Sequence, residues 1–331
     1  MKQKYLLILI FVVGVVGLSF FYKKNVVPGG MLSVITEPND GIAPVLALIR
    51  GASRSVDLVM YELDDAQIEA ALAADEKRGV AVRIILSGGY KGASSTMNVD
   101  AYDFLVANDV PVRWSPKYFS LTHEKSLVVD DNRALIMTFN LVSKYYATGR
   151  DFGILDNDER DVAAMEHTFD RDWEGSGAPG IGHDAGDDLV WSPGSEGTLI
   201  DLIGSAKKSL YIYNEEMADA AVTKALIDAA ERGVAVYVDM TGADEWKWQF
   251  AELSTAGAHV RTYVDAADAP LYIHAKMIVA DNARAFVGSE NFSVTSLADN
   301  RELGIMISDP RVIASLVKTF AADWRGATPT D

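Results

Sequence analysis

The first apolar block of the chain is 18 uncharged residues, Tyr5 to Tyr22, bracketed by Lys2 and Lys4 before it and Lys23 and Lys24 after it. That length just suffices to span a bilayer, so an N-terminal membrane helix is expected. A cleaved secretory signal is the competing reading, but such signals have a shorter apolar region and end at a small-x-small site, whereas this block ends in Phe20-Phe21-Tyr22. The flanking lysines are balanced and leave orientation open. A short tail with no folded domain ahead of it puts the N-terminus inside and the globular part in an extracytoplasmic position, anchored through residues 5–22, or secreted if the segment is removed.

Beyond the linker Val26 to Gly30 the pattern changes to short β-type runs separated by helical spacing. Strands are predicted at Met31–Ile35, Ser55–Tyr61 and Val80–Leu86, with helices at Gly41–Gly51 and Asp65–Arg78, the second stopped by Gly79. The same order returns at Leu189–Trp191, Gly197–Ala206, Ser209–Asn214, Ala221–Arg232 and Val234–Met240. A helix ending in glycine and feeding a Val-rich strand is the connection of layered α/β folds. Each half then closes with a hairpin, turning at Asp130–Arg133 and Asp281–Arg284, and a helix, Glu159–Trp173 and Arg311–Trp324. The expected fold class is therefore α/β: two duplicated domains, each a mixed β-sheet flanked by helices, related by a pseudo-two-fold and sharing one active site. The expected divisions are residues 1–30 (anchor or signal plus linker), 31–175 (first domain), 176–187 (Gly-rich linker), 188–326 (second domain) and 327–331 (C-terminal tail).

The duplication has a fixed offset of 151 residues across its chemical core. His123 and Lys125 match His274 and Lys276; Asp130 matches Asp281, Asn140 matches Asn291, Arg150 matches Arg301, and Asp151 matches Glu302 as an acid. Two copies of such a unit in 331 residues are a domain duplication, not a solenoid. Composition is that of an ordinary globular chain, 49% hydrophobic and 23% charged. With no cysteine, disulfides, thiolate zinc sites and cysteine nucleophiles are all excluded. A formal net charge of −17 disfavours nucleic acid as a partner, since that affinity comes chiefly from Lys and Arg on phosphates.

On an alternating strand His123 and Lys125 share a face, and so do Thr138 and Asn140 on the returning strand. Each half can then offer an imidazole, an ammonium and a carboxamide from one patch. Two such sets suit a phosphate: lysines neutralise it, carboxamides donate hydrogen bonds, one neutral imidazole attacks phosphorus and a protonated one supplies the departing oxygen with a proton. Asp151 and Glu302, each 28 residues past a histidine, are candidates to fix an imidazole tautomer. Asp130 and Asp281 begin hairpin turns and read as structural. Glu62 and Glu216 end equivalent strands and either face the site or belong to the scaffold. Trp246, Trp248 and Phe250 form either a substrate rim or a packed helix face.

This pattern resembles the phospholipase D superfamily, whose signature runs His-x-Lys, four residues, Asp, six residues, Gly-Ser-x-Asn. His274, Lys276, Asp281, Gly288, Ser289 and Asn291 fit it fully; the first half has Met137-Thr138-Phe139-Asn140 in the last block, with Thr138 keeping the hydroxyl of Ser289. The resemblance implies phosphodiester transfer without metal or cofactor through a covalent phosphohistidine, with His123 as nucleophile and His274 as acid. Taken with the anchor and the acidity, it points to a monomeric phosphodiesterase acting on phospholipids by hydrolysis or phosphatidyl transfer. The alternative is a nuclease of the same superfamily, cleaving DNA or RNA.

Overall fold

The computed structural model describes residues 31–89, 96–175, 188–242, 244–266 and 269–330. The expected anchor at 5–22 and the expected linker at 176–187 lie outside the described residues. Among the described residues no helix is long and apolar enough to cross a membrane.

Two mixed sheets of eight strands carry the same strand order. In the first, the order is Leu32–Glu37, Gly149–Asp156, Arg133–Met137, Ser126–Val129, Ser55–Met60, Ala81–Leu86 and Val112–Trp114, and the eighth strand, Tyr272–Ile273 of the second half, pairs off this path with Gly149–Asp156. In the second it is Leu189–Ser192, Glu302–Ile307, Arg284–Gly288, Lys276–Ala280, Ser209–Tyr213, Ala235–Gly242 and His259–Val264, extended by Thr328–Pro329. The βαβ side of each sheet is parallel and the hairpin side antiparallel. The β-branched and aliphatic runs of the central strands are buried on both faces, which is why they read as near-continuous apolar segments.

One apolar cluster contains Val128, Ile136 and Phe152 from the first half together with Met277, Val287 and Leu303 from the second. The two halves therefore share a core. Outside it, each half keeps a cluster of its own between sheet and helices. The helix Lys247–Thr255 resolves the Trp-Phe segment: Phe250 packs inward at 5% exposure, while Trp248 is 82% exposed.

Two local readings need correction. His123 and Lys125 were expected on a strand, yet the regular strand begins only at Ser126, and His274 likewise precedes the strand that starts at Lys276. The reason is that each histidine segment turns away to bond the other half. The amides of His123 and Glu124 both donate to the carbonyl of Arg301, at 2.9 and 3.0 Å, and those of His274 and Ala275 donate to that of Arg150, at 3.2 and 2.8 Å. Similarly, Thr138 and Asn140 lie just past the end of their strand at Met137, and Asn291 past Gly288.

Side chains complete the exchange. Arg150 forms a bidentate pair with Asp323 of the second half's closing helix, and Arg301 pairs with Asp172 of the first half's closing helix at 2.8 and 3.1 Å; all four residues are buried. Charges out of water hold only when paired, and removing one partner strands the other. Asp323→Ala is expected to lower the free energy of unfolding by about 3–5 kcal/mol, measured by urea denaturation. A loss below about 1 kcal/mol would mean that this pair does not hold the halves together.

Candidate active site

The hairpin aspartates sit away from the reacting groups. Asp130 carries a positive φ of 56° and accepts hydrogen bonds from the backbone amides of Ser53, Arg54 and Ser55. Asp281, at 55°, accepts from those of Lys207, Lys208 and Ser209. Aspartate tolerates this left-handed conformation better than most residues, and its carboxylate ties the turn to the loop ahead of a central strand.

A cleft of about 870 Å³ opens between the halves and is lined by His123, Asn140 and Asp151 from the first and His274 and Asn291 from the second. The carboxylates are exchanged. His123 Nδ1 lies 2.9 Å from Glu302 Oε2, and His274 Nδ1 lies 2.9 Å from Asp151 Oδ1. Each histidine is thus oriented by an acid from the other half. The acids are held in turn: Ser289 donates to Glu302 Oε2 at 2.7 Å, and Thr138 donates to Asp151. Both hydroxyls also accept a backbone amide, Leu303 N for Ser289 and Phe152 N for Thr138. Ser296 and Asn300, which have no counterpart in the sequence pattern, bond Glu302 Oε1 at 2.7 and 3.1 Å.

Lys125 and Lys276 are almost wholly buried, and each donates to the carbonyl of its own motif histidine, at 2.6 and 2.7 Å. The carboxamide oxygens of Asn140 and Asn291 are buried and have no hydrogen-bond partner among the described residues, while Asn291 Nδ2 donates to Glu216 Oε1 at 3.1 Å. Glu216 therefore faces the cleft, as does Glu62.

Burial dominates the electrostatics. It pushes His123 down to about 4, against the pull of Glu302, so the imidazole is neutral at physiological pH. With Nδ1 against a carboxylate, the Nδ1–H tautomer is favoured and the Nε2 lone pair is left for chemistry. Burial also lowers Lys125 to about 7. For Glu302 burial acts upward, but His123, Lys125 and the Ser296 hydroxyl outweigh it and hold the carboxyl below its usual range. Among the described residues no three acidic or histidine side chains are grouped as a metal site.

The departure of the first half from Gly-Ser-x-Asn has a packing cause. In the second half a Cβ on Gly288 would run into the Glu290 carboxylate, the Gly304 backbone at 2.5 Å and the Phe286 ring at 2.7 Å. In the first half Leu135 and Phe139 stand at those positions, and buried Met137 fills the space in place of glycine.

A family model described as "Cardiolipin synthase, PLD-like domain" matches residues 45–173 and again 199–324, well over half of the chain. The chain belongs to the phospholipase D-like family. Among its relatives, a protein named cardiolipin synthase from Listeria welshimeri is 25% identical over 61% of this chain and 47% of its own length. One named phospholipase D from Rickettsia bellii is 31% identical over 38% of this chain and 60% of its own. This chain thus spans about half the length of the cardiolipin synthases it matches. In solved structures the fold is similar to that of a phosphatidylserine synthase from Haemophilus influenzae, with a TM-score of 0.71 at 12% identity over 91% of this chain and 87% of that one. It is also similar to a polyphosphate kinase from Porphyromonas gingivalis, with 0.68 at 14% identity over 89% and 47%.

Sequence reasoning missed Glu215, whose carboxylate lies 3.0 Å from Lys276 Nζ and 3.5 Å from His274 Nε2. No repeat signal could have found it, because the equivalent position in the first half is Tyr61. Tyr61 itself approaches His123, with ring centroids 4.6 Å apart. Glu302→Gln is expected to reduce kcat/KM of this phospholipase D-like protein about 10²–10⁴-fold with the fold retained by circular dichroism, since His123 would lose the negative charge that favours its Nδ1–H tautomer. Unchanged turnover would separate Glu302 from the chemistry.

Proposed function

We propose that this protein is a phosphodiesterase acting on phospholipids, by hydrolysis or phosphatidyl transfer, through a covalent phosphohistidine on His123. The observation that carries the reading is the cross-half pairing of His123 with Glu302 and His274 with Asp151 at one cleft. Nε2 of neutral His123 attacks phosphorus, the bond from phosphorus to the head-group oxygen breaks, and His274 gives that oxygen its proton. Water or a second alcohol then loses a proton to His274 as it displaces His123. Hydrolysis and transfer are the two resolutions of one intermediate, and relatives named phospholipase D and cardiolipin synthase support keeping both. Lys125, Lys276, Asn140 and Asn291 neutralise and orient the phosphoryl oxygens, and the mechanism uses no metal.

A lipid is favoured over a nucleic acid by the cleft wall. Glu37, Glu62, Glu215, Glu216 and Asp265 line it with Asp151, and apart from the buried motif lysines Lys125 and Lys276 the described wall carries one lysine, Lys144. A polyanion would meet repulsion along its length, whereas a lipid presents one phosphodiester. Purified protein incubated with phosphatidylglycerol, phosphatidylethanolamine and phosphatidylcholine in the presence of chelator should release head group or form a transphosphatidylated product. Inertness toward every lipid, with cleavage of single-stranded DNA, would reject the reading.

The pH profile of kcat/KM follows from the site. Protonating His123 removes the nucleophile, so the acid limb should fall near pH 4, well below the usual histidine value of about 6.5. Deprotonating Lys125 removes a phosphate-binding charge, so activity should decline as pH rises through about 7. An acid limb at pH 6 to 7 would contradict the assignment of His123.

A further inference from the structure

The two half-sites differ where the sequence repeat is silent. Val59 lies opposite Ser126 in the first sheet, and Tyr213 lies opposite Met277 in the second. Counting on two residues, Tyr61 and Glu215 reach the same position against the two His-x-Lys motifs. In the first half that position holds an uncharged ring, 5.1 Å from Lys125 Nζ. In the second it holds a carboxylate. Glu215 Oε2 lies 3.0 Å from Lys276 Nζ, 3.5 Å from His274 Nε2 and 3.5 Å from Asn291 Nδ2, while the Tyr272 hydroxyl donates to Oε1 at 3.0 Å.

The three groups around Oε2 are an imidazole nitrogen, an ammonium and a carboxamide nitrogen, the second half's whole set for binding a phosphoryl oxygen. Carboxylate and phosphate oxygens are both charged acceptors and engage such groups in the same way, so one displaces the other. Asp151 and Glu302 already engage the two histidines, so Glu215 is a third carboxylate, and it occupies the place where the phosphoryl oxygens must sit.

We propose that Glu215 is a specificity-determining residue that competes with the phosphoryl group for His274, Lys276 and Asn291, so that the site accepts a singly charged phosphodiester and rejects doubly charged phosphomonoesters. A diester takes over the three contacts and the carboxylate retreats toward Tyr272, which already holds its other oxygen. A monoester brings a second negative charge into the same low-dielectric space and is repelled. Hydrolysis of a diester makes such a monoester, so the charge that tolerates substrate also drives product out. The inference rests on the phosphodiester reading of the site.

The test uses two probes that differ by one methyl group and about one charge at pH 7.5, methyl phosphate and dimethyl phosphate. Their binding to the full chain and to its Glu215→Gln variant is followed by phosphorus NMR titration. The expected result is that Glu215→Gln binds methyl phosphate about tenfold tighter or more, raising the monoester-to-diester affinity ratio by a similar factor. A merely structural salt bridge to Lys276 would leave that ratio where it is. If both proteins bind dimethyl phosphate and the ratio is unchanged or lower in the variant, the inference fails while the phosphodiester site stands. If neither protein binds either probe, the phosphodiester reading fails and takes the inference with it. Should Glu215→Gln not fold, judged by thermal unfolding, Glu215→Ser replaces it in the same comparison.

Discussion

Each half of this protein completes the other's histidine with its own carboxylate, and the rest of the structure is arranged around that exchange. Asp151 and Glu302 follow directly on Arg150 and Arg301, whose carbonyls receive the amides of the opposite histidine segments. The same two arginines anchor in the closing helix of the other half through Asp323 and Asp172. Backbone and side chain of each Arg-acid pair thus do one job, fixing where the partner half's histidine sits. A half alone would have a histidine without its acid and a buried arginine without its counter-ion, which is a physical reason for two copies in one chain.

Much of this was legible in the sequence. The fixed offset between His123 and His274 marked the duplication, and the alternation of apolar runs with glycine-stopped helices gave the layered α/β class. Which copy touches which was not legible. A repeat says that Asp151 and Glu302 are equivalent; it cannot say that each reaches across to the other half, because that depends on how the two sheets pack. The histidines depart from regular strand for the same reason, since the amides of His123 and Glu124, and of His274 and Ala275, donate to the opposite half and not to the neighbouring strand. Ser296 and Asn300 escaped notice because they lie in and just after the short helix Val294–Ala298, where the offset of 151 puts Tyr145 and Gly149 in the first half.

Departures from symmetry carry as much information as the repeat. Met137 in place of glycine is a packing matter, since Leu135 and Phe139 leave room that Phe286 and Glu290 close in the other half. Glu215 opposite Tyr61 is a matter of charge. It places His274 between two carboxylates, whereas His123 has one carboxylate and a ring. A deeply buried His123 with one carboxylate and a His274 with a carboxylate at each ring nitrogen are the geometric difference on which the proposed roles of nucleophile and proton donor rest.

The most direct measurement of that division of roles is trapping of the phosphoenzyme by rapid alkaline denaturation, since the phosphorus–nitrogen bond of a phosphohistidine is lost in acid and survives in alkali. The wild-type protein and its His274→Asn and His123→Asn variants would be exposed to substrate, denatured rapidly, and the modified residue located by mass spectrometry. The account predicts a phosphohistidine adduct on His123, accumulating in His274→Asn when the substrate carries an activated aryl leaving group that departs without a proton, because only the second step then lacks its base, and none in His123→Asn. Adduct on His274, or turnover that survives His123→Asn, would contradict it.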